Sequence, residues 1–204
     1  MLTMLENGLF ALGQVLRAPV MTLLWAGIFA VLFVAGAALM EYLARHRERT
    51  GFDLKAWLKQ GAVLSASDER AAKLPPMLRG LVNEVRVAMN AAPLGDGALE
   101  NLLLEREEQL RRGLNLPRAL VKVGPSLGLL GTLIPMGTSL ASLASGNLEA
   151  MAGQMVVAFT TTIIGLAIGT LAYVVTVVRQ GWLNEAVREQ RYLAERIAIE
   201  LEAR

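Results

Sequence analysis

Three stretches of this chain are apolar and long enough to cross a bilayer, and no other feature constrains its fold as strongly. A spanning helix needs about 20 mostly apolar residues to cover roughly 30 Å of hydrocarbon. Ala18 to Met40 is 23 residues without a charge, Val123 to Ala144 is 22, and Ala150 to Val178 is 29. At about 1.5 Å of rise per residue, the third run is longer than the bilayer core, so it must tilt or project beyond the membrane. The fold class expected is therefore all-α: an integral membrane protein with three transmembrane helices.

The first run is not expected to be a secretory signal. Its 23 uncharged residues exceed the about 7–15 of a signal core, and the positive charges (Arg45, Arg47, Arg49, Lys55, Lys59) follow it, with only Arg17 ahead. A retained anchor is expected. Residues 41–122 hold 14 Lys or Arg and residues 179–204 hold five, whereas the link Ser145-Gly146-Asn147-Leu148 holds none. Because positive loops stay in the cytoplasm, the N-terminus and the short link are expected outside, and the middle segment and tail inside. A pI of about 9.2 does not point to nucleic acid, since no basic stripe interleaved with aromatics occurs.

Outside the spans the pattern is helical. Leu2, Leu5, Leu9, Leu12 and Leu16 recur at three or four residues, which predicts a short amphipathic helix over 1–17 on the outer surface. Pro75-Pro76 and the stretch from Ala92 to Gly97 divide the middle segment. One helix is expected over about Met77 to Met89, with Leu78, Leu81, Val82 and Val85 on one face. Another starts near Ala98, with Leu99, Leu102, Leu103, Leu110 and Leu114 apolar, and leads into the second span. The layout expected is 1–17 external, 18–40 transmembrane, 41–118 cytoplasmic, 119–144 transmembrane, 145–148 external loop, 149–178 transmembrane and 179–204 cytoplasmic helix. Long cytoplasmic helical extensions and an oligomeric helix bundle complete the expectation.

Nothing in the sequence points to catalysis. There is no Gly-x-x-x-x-Gly-Lys-Ser/Thr phosphate loop, and a sole histidine, His46, excludes the paired-histidine zinc motifs. There is no cysteine. No carboxylate lies inside a span, and Glu149 sits at a span boundary. No cofactor, metal or catalytic residue is expected.

The second and third spans carry small residues and hydroxyls in place of the bulky Leu, Val and Phe of the first. Gly128, Gly131 with Thr132, Pro135 and Ser139 recur on one face of the second. Ala158, Thr162, Gly165 and Gly169 recur on one face of the third, beside Thr160 and Thr161. Small faces let helix backbones approach closely in lipid. The hydroxyls either bond back to the carbonyl one turn earlier or line a polar path.

Gly128-x-x-Gly131-Thr132 preceded by a proline, followed in the next span by Ala158-Phe159-x-x-Thr162-x-x-Gly165, resembles the MotA/TolQ/ExbB proton-channel family. The three-span layout is closest to TolQ and ExbB. The resemblance implies that Thr132 and Thr162 line a pore facing an essential aspartate on a partner helix. Two positions depart from the pattern: Val157 stands where relatives carry an acid, and Pro135 stands where a glycine is usual.

The resemblance further implies a homo-oligomer, a pentamer, around a dimer of a single-span ExbD/TolR/MotB-like partner in a bacterial or archaeal cytoplasmic membrane. The function expected is the pore-forming subunit of an ion-driven motor complex. The chain's own residues agree that a partner is missing, since a relay needs a titratable group and these spans have none. Whether the ion is H+ or Na+ stays open, because Thr160, Thr161 and Ser139 add hydroxyls that serve either an ion path or packing. The rival is a non-conducting scaffold that oligomerises through its glycine faces.

Overall fold

A computed structural model describes residues 2–48, 54–59, 61, 63, 71–91 and 97–202. Among these all regular structure is helical: α1 (Leu2–Glu48), α2 (Leu54–Leu58), α3 (Pro76–Ala91), α4 (Ala98–Arg112), α5 (Asn115–Ala144) and α6 (Leu148–Glu202). Three helical stretches, Gly13–Arg45, Ala98–Ala144 and Leu148–Glu200, are long and apolar enough to cross a membrane. The chain is a membrane protein of all-α class. Residues 2–17 join the first apolar run without a break, so α1 is a single helix of 47 residues, with Pro19 inside it. The side chain of His46 lies outside the described residues, as do residues 92–96.

The chain forms two compact units: Met1–Leu39 with Asn115–Val177, and Met40–Leu114 with Val178–Arg204. In the first, α1 buries Val20, Leu24, Val31, Val34 and Ala38 against Ile168, Ala172 and Val175 of α6 and Leu120 of α5. Steps of three and four put these α1 residues on one stripe. The opposite face shows Trp25, Phe29 and Phe33, all more than 60% exposed, as suits contact with lipid. Gly27 belongs to the buried stripe because a Cβ there would lie 3.1 Å from Ile168 Cδ1.

The turn between α5 and α6 follows from three residues. Gly146 takes φ of 75°, where a side chain would be strained. Its N–H donates to Leu143 O and that of Asn147 to Ser142 O, both at 2.9 Å, closing α5 with a Schellman pair. Asn147 Oδ1 then accepts from Ala150 N at 3.0 Å and caps α6.

The second unit has its own core. Leu78, Leu81, Val82 and Val85 of α3, the face expected from sequence, are fully buried with Trp57, Leu58, Val63, Leu74 and, from α6, Leu193 and Ile197. Glu200 accepts from the Val63 amide. Arg106 of α4 pairs with Glu84 of α3 at 2.6 Å and donates to Met77 O at 3.2 Å. None of the α4 residues is fully buried.

Charge therefore contributes to seating α4. Glu107 accepts from Arg111 at 2.6 Å within α4 and from Arg191 of α6 at 2.9 Å. These bonds, Arg111 first, hold its carboxyl below the usual carboxylate range. The resulting stability is complete above the ordinary value and is lost as the pH falls through the lowered one. Proteolysis at α4 is expected to quicken over that acidic window, and less so in Arg191→Gln. An exposed pair of this kind is worth about 1 kcal/mol or less, so the change is modest.

Candidate functional site

The site is built on the α5–α6 hairpin, where small residues remove the bulk that normally keeps helices apart. On α5, Gly124, Gly128, Gly131, Pro135 and Ser139 are buried at steps of three and four. Opposite them on α6 lie Ala158, Thr161, Gly165, Ile168 and Gly169, all buried. A Cβ on Gly165 would sit 2.5 Å from Gly128 Cα and 2.7 Å from Gly124 O, closer than real side chains approach backbone. A Cβ on Gly169 would meet Pro125 Cδ at 2.7 Å, and one on Gly131 would meet Thr161 Cβ at 2.7 Å. Pro135 lies inside the seam within an unbroken α5.

This packing separates residues that are neighbours in sequence. Successive residues on a helix turn by about 100°, so Thr160 and Thr162 face different surroundings, with Thr161 between them at the seam and at the edge of the groove that Thr160 lines. Thr161 is 5% exposed and packs on Gly131. Thr160 turns to a groove that it shares with Met21, Leu24, Trp25 and Ile28 of α1. Thr162 turns the other way, into an open groove of about 490 Å³ whose facing wall includes Thr132 and Met136 of α5. The structure therefore brings Thr132 and Thr162 together, and leaves Thr160, Thr161 and Ser139 elsewhere. Ser139 donates across the seam to Met151 O at 3.3 Å and closes the far end of the hairpin.

The groove's remaining lining is Met155, Ala158, Phe159 and Ile163. Sequence reading did not assign Met136, Met155 or Ile163 to the site, and had Phe159 only as part of the motif. Their signal is positional: Met136 lies one turn beyond Thr132, and Met155 and Phe159 lie beside Thr162 on its helix. Phe159 and Ile163 are more than 60% exposed, so this apolar wall has no cover among the described residues.

Both groove threonines bond back to their own helix, as sequence allowed. Thr132 Oγ1 donates to Leu129 O at 2.7 Å, a firm bond. Thr162 Oγ1 donates to Ala158 O at 3.3 Å, longer than the usual range for a hydroxyl donor. That same carbonyl takes Thr161 Oγ1 at 2.8 Å. Two hydroxyls compete for one acceptor and Thr162 holds the poorer bond, so its hydroxyl is the more easily re-aimed. A hydroxyl that donates backwards still offers lone pairs to the groove, and a rotated one offers its proton. The pair can thus accept from a protonated carboxyl or donate to an ionised one. Neither threonine is titratable near neutral pH, so the pair can hydrogen-bond a carboxyl group and cannot itself carry charge.

Residues 76–192 match the family described as the MotA/TolQ/ExbB proton channel family, a span that includes both groove threonines. The protein named putative biopolymer transport protein ExbB homolog, from Methanothermobacter thermautotrophicus, is 27% identical over 115 residues. That alignment covers 56% of this chain and 41% of the relative, so the chain spans less than half of that protein's length.

Proposed function

The chain belongs to the MotA/TolQ/ExbB proton channel family, and from that premise we propose that it is the pore-forming subunit of an ion-driven motor complex. In this reading copies of the chain, five by family resemblance, surround a dimer of a single-span partner. The partner's intramembrane aspartate enters the groove between α5 and α6 and is protonated and released there. The chain sits in the cytoplasmic membrane with its N-terminus outside.

The observation that carries the reading is the pairing of Thr132 and Thr162 across one groove with an uncovered apolar wall. A carboxyl held there would be largely out of water, where its charged form is costly unless donors meet it. Thr162, whose bond to Ala158 O is long, is the donor more easily turned to do so. The proton suits the site better than sodium. Among the described residues two side-chain hydroxyls line the groove, whereas a bare cation needs a shell of several oxygens to replace its water.

The rival scaffold would oligomerise through free glycine faces. Gly128, Gly131, Gly165 and Gly169 are buried between α5 and α6 of one chain, so that reading gains no support.

The test uses the absence of native cysteine. Thr162→Cys and Phe159→Cys, each alone, are expected to form a disulfide with a cysteine placed at the aspartate level of a co-purified partner span. Such a bond requires Cα atoms within about 7 Å. Leu32→Cys, on the outward face of α1, is expected not to react. Cross-linking at Leu32 in place of Phe159 would refute the placement.

A further inference from the structure

Glu41 is the first charged residue after the 18–40 run, and Arg179 is the first after the 150–178 run. Both lie at the depth where apolar chain gives way to charge, and in the second unit they meet. Arg45 Nε and Nη2 contact Glu41 Oε1 at 3.2 and 3.1 Å, and Arg179 Nη2 lies 3.3 Å from Glu41 Oε2. Glu41 thus meets two guanidinium groups, while Glu185 and Glu189 line a second cavity beside Arg45. Arg179 Nε is buried and has no partner. A buried donor left unpaired is costly and calls for an ion or water that satisfies it.

The surroundings fit a headgroup. Arg45 lies over the Trp182 ring, 5.3 Å from its centroid, and Tyr42 stacks on Trp182 at 6.2 Å. Tyr and Trp favour the interface, where an apolar ring and a polar tip are both accommodated. Beside them opens a cleft of about 160 Å³ whose lining includes Glu41, Arg45, Arg179 and Trp182 next to apolar residues such as Met77 and Leu110. With a water filling about 30 Å³, this is room for a phosphate group. Guanidinium forks match phosphate oxygens in pairs.

We propose that this cleft binds the phosphate of an anionic phospholipid, with Arg179 and Arg45 as its ligands. Glu41 holds both arginines in place and competes with the lipid for them. The inference rests on this cluster and on membrane insertion, and does not depend on the ion path.

Native mass spectrometry of the full chain, purified in detergent and equilibrated with equal phosphatidylglycerol and phosphatidylcholine, tests it. Phosphatidylglycerol is expected to be retained preferentially. Arg179→Gln is expected to lower that retention about fivefold, the effect of one basic residue near an anionic surface. Glu41→Gln is expected to raise it, an outcome that damaged folding would not produce. Equal retention of both lipids, or no response to either substitution, overturns the proposal. Displacement of phosphatidylglycerol by inorganic phosphate as readily as by added lipid would overturn the lipid assignment, making the cleft a soluble phosphate site.

Discussion

Gly165→Ala is expected to lower the thermal unfolding midpoint of the detergent-solubilised chain, and Gly165→Val to prevent the α5–α6 hairpin from closing. The reason is the identity of the atoms in the way. An added Cβ would lie 2.5 Å from Gly128 Cα, 2.7 Å from Gly124 O and 2.8 Å from Gly128 N, all of them backbone. No rotamer change relieves that clash, so the helices must separate along the seam. Overpacking of this kind costs about 1–3 kcal/mol for a small group and more for a larger one. Loss of the seam also moves Thr132 away from Thr162, so even a folded Gly165→Ala should conduct poorly. Gly153→Ala, where nothing lies within 4 Å, serves as the control and should leave the midpoint unchanged or slightly raised. An unchanged midpoint in Gly165→Ala would mean that the hairpin is not packed as described.

The parts of this architecture set by local chemistry were open to sequence reading. The three apolar runs were legible because bilayer thickness fixes the length a helix needs. The start of α3 at Pro76 and of α4 at Ala98 followed from Pro75-Pro76 and Gly97. Periodicity gave the buried face of α3 because one partner surface receives it. The candidate site was legible only in outline. Thr132 and Thr162 were singled out as a pair, but Thr160, Thr161 and Ser139 stood beside them with the same chemistry. What separates them is which neighbour each faces: Gly131 for Thr161, α1 for Thr160 and Met151 for Ser139. A one-residue step changes the neighbour completely, and no local pattern encodes it. Gly124, buried against Gly165 and Gly169, went unread for the same reason. The meeting of Glu41 with Arg179 is likewise a consequence of packing between distant segments.

The second large effect concerns the threonines themselves. Valine has nearly the shape of threonine without the hydroxyl, so Thr162→Val keeps the groove and removes the donor. A hydrogen bond to a charged group is worth about 1.5–3 kcal/mol. Each 1.36 kcal/mol is a factor of ten in rate, so proton flux should fall roughly 10–100-fold. Thr162→Ser restores the hydroxyl and should restore most of the flux. Thr132→Val should fall less steeply, since its hydroxyl is held firmly by Leu129 O at 2.7 Å and is the poorer donor to a guest. Thr160→Val, on the α1 side, should conduct like the parent chain.

Proton flux into vesicles holding the chain with its single-span partner, compared across Thr162→Val, Thr162→Ser and Thr160→Val at matched assembly, is the most direct test of the groove as ion path. Loss is expected in the first, recovery in the second and no change in the third. Undiminished flux in Thr162→Val, or an equal loss in Thr160→Val, would contradict it.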